Sequence, residues 1–175
     1  MMSGLLDYLN EKHPSKIYKR PIVVSNPQEM ISSHEFTHIV SSHPTPDDSS
    51  LNASRVVLDY VNQSSERDLA IFLISGGGSS LLSLPADGIS LDDKIKLTQL
   101  LLASGCNIND INTVRKHVSK IKGGRLNSAA LPSRSISLLI SDVINDDLSS
   151  IASGPTVADE TTFHDAINVL NKYNI

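Results

Sequence analysis

The chain has 175 residues, 39% of them apolar and 19% charged. That length suits one domain at roughly 150 residues each, and the balance excludes disorder across the whole chain. A formal net charge of -4, from 15 Lys and Arg against 19 Asp and Glu, supplies no global positive field, so nucleic acid is not expected as a partner.

The elements can be taken in chain order. Residues 1–10 hold a short apolar patch that reads as helix and is too brief, without a basic flank, for a secretory leader. Runs rich in Ile and Val follow at 21–25, 37–41, 68–75 and 135–142, and continuous apolar runs of this length suit strands covered on both faces of a parallel sheet. Between and after them, helices are predicted over 51–62, 91–104, 108–122 and 163–173. The alternation predicts an α/β fold with a layered parallel sheet and helices on both faces. Four strands make a small sheet, so the chain is read either as a compact domain or as one lacking a neighbour at either end.

Local signals sharpen the boundaries. Ser90 and Asp93 have capping-box spacing, and Gly105 sits where a left-handed residue would close that helix. Gly123 and Gly124 are expected to end the next helix, while Pro132 and Pro155 belong in connecting loops. The lone cysteine, Cys106, can make neither an internal disulfide nor a Cys-rich zinc site and fits a reducing, cytoplasmic setting. No apolar stretch approaches the ~20 residues of a membrane helix, so no membrane partner is expected.

Three constellations carry chemistry. First, the strand ending at Ile74 runs into Ser75, Gly76, Gly77, Gly78, Ser79 and Ser80. Successive residues without Cβ let backbone N–H groups approach an anion and take up positive φ, which is how a phosphate is cradled. The pattern is neither a Walker A loop nor the dinucleotide turn, and a plain flexible turn is the alternative.

Second, in the helix predicted over 108–122, Ile108, Ile111, Val114, Val118 and Ile121 form one apolar stripe. Asn112, Arg115, Ser119 and Lys122 border it, where a cleft wall would run. With Lys116, Lys120 and Arg125 they make the one dense basic patch of an acidic chain. Arg115 offers a planar fork for carboxylate or phosphate, and Lys122 a point charge. Cations near a helix end also complement its dipole, which accounts for Lys120 and Lys122 but poorly for Arg115. His117 falls near the edge of the apolar stripe and reads as structural.

Third, the strand predicted over 135–142 ends in Asp142, beyond the carboxyl end of a strand, where α/β proteins bind ligands. A carboxylate there suits a catalytic acid or Mg2+, which takes one or two carboxylates plus substrate phosphates. Asp146 and Asp147 read as loop or capping residues. Two proline-stiffened loops, one carrying His43 and Thr45 and one running from Ala152 to Asp159, complete the set.

Taken in order, the His43-Pro-Thr-Pro-Asp loop, the Ser75-Gly-Gly-Gly-Ser-Ser turn, the segment ending in Lys94, the Asn112-Thr-Val-Arg-Lys-His-Val-Ser119 stretch, the Lys122-Gly-Gly-Arg125 turn, Ser141-Asp-Val143 and Ala152-Ser-Gly-Pro-Thr156 resemble the type 2 glycerate kinases. These carry a C-terminal MOFRL-type domain, and some have been described as hydroxypyruvate reductases. The resemblance implies a Rossmann-like α/β domain facing a second domain across a cleft. It implies phosphorylation of D-glycerate at its 2-hydroxyl with ATP and Mg2+, giving 2-phospho-D-glycerate.

Carried onto this chain, Ser75, Gly76, Gly77, Gly78, Ser79 and Ser80 would bind the nucleotide. Asp142, Arg115 and Lys122 would be catalytic, Asp142 also holding the metal. His43, Asn112, Ser119 and Lys120 would contact substrate. Two departures stand out: Asn145 replaces the family's glycine before the paired aspartates, and Ser42 replaces a glycine before His-Pro. The family is considerably longer, with a functional lysine that would fall just upstream of residue 1 and a MOFRL-type half that would follow. The expectation is a single α/β domain over 1–175, completed by a missing C-terminal half or by a homo-oligomer. A non-catalytic nucleotide-binding module and a hydroxypyruvate reductase are the rival readings, the latter disfavoured by the absence of a dinucleotide fingerprint.

Overall fold

The computed structural model describes residues 1–15, 18–29, 33–143 and 146–175. Its β framework consists of parallel pairs. β1 (Ile22–Ser25) pairs with β2 (Thr37–Val40). β3 (Leu69–Ile74) pairs with β4 (Arg134–Leu139) in a register that sets Ile74 beside Leu139.

Parallel neighbours require a long crossover; between β3 and β4 helices provide it, whereas no helix is described between β1 and β2. α1 (Met2–Lys12) precedes β1, and α2 (Asp48–Asn62) lies between β2 and β3. α3 (Gly78–Leu81), α4 (Leu91–Ala103), α5 (Ile108–His117) and α6 (Arg125–Ala129) separate β3 from β4. A 3-10 turn (Ile151–Ser153) and α7 (Phe163–Lys172) follow. The α/β class read from the alternation is the one observed, although the four strands form two pairs among the described residues rather than one continuous sheet.

Two cores hold these layers. Val61 of α2, Phe72 of β3, Leu84, Ile121, and Leu126 and Ala130 at α6 form one. Leu101 of α4, Ile111 and Val114 of α5, and Ala166 and Val169 of α7 form the other. Burying one large apolar side chain is worth about 1.5–3 kcal/mol, so each cluster can fix its helices. Both faces of the last strand were expected to be covered, and one is not: Ile136, Leu138 and Ile140 are 49%, 48% and 56% exposed. The helices of the first core cover the other face, where Ser137 and Leu139 are partly buried.

Helix ends follow their caps where the caps are local. α4 opens on the Ser90–Asp93 capping box, and Gly105 beyond it is left-handed at φ +71. α2 starts earlier than periodicity predicts, because Asp47 accepts the Ser49 N–H at 2.8 Å and Ser50 returns a bond to the Asp47 N–H.

The helix predicted to reach Lys122 stops at His117. There the chain turns and Ser119 bridges antiparallel to Pro85. The Ala86 N–H donates to the Val118 carbonyl, and the Lys120 N–H to the Leu84 carbonyl, so these groups pair across rather than along a helix. Gly123 and Gly124, expected to close that helix, lie at φ +59 and +79 in the turn that opens α6. Asn145, singled out for the turn after Val143, lies outside the described residues.

Candidate active site

β3 delivers three glycines to its carboxyl end, and each is pressed by a different part of the chain. A Cβ on Gly76 would run into the Asp142 carboxylate; one on Gly77 would meet the His43 ring at 3.2 Å; one on Gly78 would lie 2.8 Å from the Ala152 methyl. Of the three, Gly77 alone is left-handed, at φ +80. Gly76 and Gly78 are therefore required for space rather than for backbone freedom. Strand register explains the first contact. The Ile140 N–H donates to the Ile74 carbonyl at 2.9 Å, so β3 and β4 end side by side and their next residues share one edge.

Beneath the turn runs a chain of hydroxyls. Ser153 Oγ donates to Asn112 Oδ1 at 3.1 Å, which leaves Ser79 Oγ as the donor in its 2.8 Å bond with Ser153. Lys122 Nζ donates to the Ser79 and Leu82 carbonyls at 2.9 and 3.3 Å, and Ser80 Oγ donates to the Gly77 carbonyl. Ala152, Ser153 and Gly154 are all left-handed, at φ 53, 60 and 59. Such geometry costs a non-glycine residue about 1–2 kcal/mol and persists where surrounding contacts enforce it.

Because α5 ends at His117, Asn112 and Arg115 stand on a helix while Ser119, Lys120 and Lys122 stand on the loop after it. The single rim expected for Asn112, Arg115, Ser119 and Lys122 is not formed. Asn112 and Lys122 are buried, at 4% and 2% exposure, and Arg115 is partly buried. Ser119 Oγ donates to the Leu84 carbonyl and accepts from the Ile121 and Lys122 N–H groups. Lys120 reaches outward to pair with Asp87 at 2.5 Å. Lys116 pairs with Asp159 at 3.5 Å, and Arg125 donates to the Lys116 and Lys122 carbonyls. His117 donates from Nδ1 to the Thr113 carbonyl at 2.8 Å and meets Phe163 edge-on.

One cation of the motif blocks was assigned no role. Lys94 in the first turn of α4 is 4% exposed, and its Nζ has no hydrogen-bond partner among the described residues. It closes one of the motif blocks but was given no role there, and its spacing from Leu97 and Leu101 places it on the face that packs against α5. Burial, then the charge of Arg115, pushes its pKa down to about 8. Burial, then Lys94 and Arg115, pushes Lys122 well below the usual lysine range, and burial lowers Arg115.

Among the described residues, no cluster of three or more His, Cys, Asp or Glu could hold a metal; Asp142 contributes a single exposed carboxylate. Asp147 accepts from the Ser149 N–H and from the Ser149 and Ser150 hydroxyls, as a capping residue does. No described helix is long and apolar enough to cross a membrane.

Parallel strands packed with helices, the β3–β4 pair joined by a helical crossover and carrying a glycine turn and an acid at its carboxyl ends, define a layered α/β protein. Within that class the chain belongs to the family described as a domain of unknown function (DUF4147), whose model matches residues 2–175. It is 48% identical over 141 residues to a D-glycerate 2-kinase of Thermotoga maritima, covering 81% of this chain and 34% of that protein. A protein of Agrobacterium vitis, provisionally named a hydroxypyruvate reductase, is 47% identical over 154 residues, covering 88% and 35%. The crystal structure of a glycerate kinase from Thermotoga maritima superposes with a TM-score of 0.85 at 44% identity, covering 89% of this chain and 38% of that one. The resemblance read from the motif blocks is borne out. The chain spans about a third of the length of the curated relatives it matches.

Proposed function

We propose that these residues form part of a glycerate 2-kinase, which transfers the γ-phosphoryl group of ATP to the 2-hydroxyl of D-glycerate. The observation that carries the reading is the 48% identity to the Thermotoga maritima D-glycerate 2-kinase. The convergence of His43 and Asp142 on the glycine turn supports it.

On this reading Ser75, Gly76, Gly77, Gly78, Ser79 and Ser80 face the nucleotide phosphates. The N–H groups of Gly77, Gly78 and Ser79 find no backbone carbonyl among the described residues and are free for phosphate oxygens. In the transfer, the bond from the γ-phosphorus to the ADP oxygen breaks as one to the 2-oxygen forms. The Asp142 carboxylate would accept the hydroxyl proton. Arg115 and Lys122 would neutralise carboxylate or phosphate charge, since transfer relies on positioning and electrostatic stabilisation. A single carboxylate beside phosphate oxygens also fits Mg2+, which Asp142 would hold and which would offset phosphate charge.

On the substrate side His43 and Asn112 carry the weight, because Ser119 and Lys120 are already engaged elsewhere. A second half, or another copy of the chain, would close the site from the opposite side. The reading also implies a cytoplasmic protein with ATP at hand.

The name of the Agrobacterium vitis relative favours a second reading, nicotinamide-dependent reduction of hydroxypyruvate. Calorimetric titrations with ATP and Mg2+ and with D-glycerate, alongside phosphorus NMR of any product, test between them. Saturable binding of both ligands is expected, with phosphate on the 2-oxygen of any product. Hydroxypyruvate-dependent NADH oxidation without ATP binding would overturn the kinase reading.

A further inference from the structure

Behind the glycine turn lies a cluster of hydrogen-bond donors whose one side-chain acceptor, Asn112 Oδ1, is already taken by Ser153. Lys94 and Asn112 are each 4% exposed, and both Lys94 Nζ and Asn112 Nδ2 lack a partner among the described residues. Lys122, at 2% exposure, donates only to neutral carbonyls. No carboxylate of the described residues lies within ion-pair distance of Lys94, Arg115 or Lys122. Buried lysines are ordinarily paired, and a buried charge without a counter-charge is costly.

The fold gathers these groups. Lys94 shares the α4 face of Leu97 and Leu101, which packs on Ile111 and Val114 of α5, the helix that carries Asn112 and Arg115. Lys122 joins them to the turn through the Ser79 carbonyl, and Asn112 joins them through Ser153. Ammonium, guanidinium and amide N–H groups have no acceptor to offer one another. A bound oxyanion would answer all of them at once.

We infer that Lys94, Arg115, Lys122 and Asn112 form a binding site for a small oxyanion, either a carboxylate or a phosphate group. Lys94 is the residue this adds to the site. Burial lowers the proton affinity of both lysines, and the charge of Arg115 lowers it further in each, as that of Lys94 does for Lys122, which agrees with cations held together without a counter-ion. The anion site stands on its own; only the choice of D-glycerate as the carboxylate source rests on the kinase reading.

The 175-residue chain is melted and titrated with inorganic phosphate, with D-glycerate, and with sodium chloride at matched ionic strength. Phosphate or D-glycerate should raise the melting temperature saturably, and chloride should not. Response to phosphate alone assigns a phosphoryl site, and response to D-glycerate alone a carboxylate site. Lys94→Met should weaken that binding about tenfold or more, because charge-assisted hydrogen bonds are the strong ones. It should melt no lower than wild type without anion, whereas Lys96→Met on the exposed side of α4 should bind as wild type. Lys94→Gln, which keeps a donor and loses the charge, reads the same loss if Lys94→Met does not fold. No response to either anion, or wild-type affinity in a folded Lys94 variant, overturns the inference. Anion binding without ATP binding would leave this site standing while the kinase reading falls, and binding of ATP and D-glycerate with wild-type affinity in Lys94→Met would do the reverse.

Discussion

The Asp142 carboxylate beyond β4 occupies the space that a side chain on Gly76 beyond β3 would need. A glycine on one strand thus admits the acid of its neighbour, and the two form one edge of the turn. Asp142 is exposed, so its carboxylate can swing aside from an added methyl group. Gly76→Ala should therefore cost about 1 kcal/mol or less in stability while displacing the acid. Affinity for ATP with Mg2+, read by calorimetry, should fall clearly while the melting temperature stays within a few degrees of wild type. Unchanged affinity would show that Asp142 does not serve the nucleotide.

Ser153 is fully buried and sits in the middle of the hydroxyl chain, between Ser79 and Asn112. Ser153→Ala leaves Asn112 Oδ1 without its donor and Ser79 without its acceptor, at a cost of about 1–3 kcal/mol. Urea unfolding should show this loss. The double variant with Asn112→Ala should lose less than the two single losses combined, because the partners share one network.

Lys94 keeps its proton only to about pH 8 when folded, against an ordinary value of 10.5. Below pH 8 both states are protonated and the folded chain bears the cost of the buried charge. Between pH 8 and 10.5 the unfolded chain binds more protons, so the Lys94 contribution to stability rises with pH across that window, by about 3 kcal/mol in full. Lys122 acts in the same direction. Denaturant melts from pH 7.5 to 10.5 should show wild type gaining on Lys94→Met as pH rises; a constant difference would contradict the burial of that charge.

Arg115, Lys116, Lys120, Lys122 and Arg125 all stem from α5 and the segment that follows it, so their charge reaches a ligand largely from one side. Phosphoryl transfer needs stabilisation from several directions, and losing one cationic group can cost ~10³ to 10⁵ in rate. The 175-residue chain by itself should turn over D-glycerate at less than about 1 s⁻¹, the lower edge of ordinary enzymes. A coupled assay reaching that rate would show that these cations suffice.

What the residues announced, and what they withheld, divides by the range of the interaction that decides it. Ser90, Asp93 and Gly105 carry their instructions within one turn of chain, so both ends of α4 can be read directly. The end of α5 is decided by Leu84, Pro85 and Ala86, and the apolar period runs on through Val118 and Ile121 as if the helix continued. Ile121 is buried for another reason, its packing in the core of Phe72 and Leu126. The glycine turn is legible as a ligand-type turn, yet only the strand register at Gly76 and the approach of Ala152 to Gly78 reveal that these two provide room rather than left-handed backbone. Lys94 stands in a motif block yet received no role, because a lysine ordinarily marks a wet surface, and only the packing of α4 on α5 shows otherwise.

The braces of the glycine turn have a consequence in time. Residues 76–80 leave the ribosome well before Asp142, Ala152 and Ser153, which later press against Gly76 and Gly78 and bond to Ser79. Domains generally complete their folding as units during synthesis, and pairings of high sequence separation form slowly. The nascent chain therefore carries its most chemically exposed amides without their walls until the later strand and loop arrive.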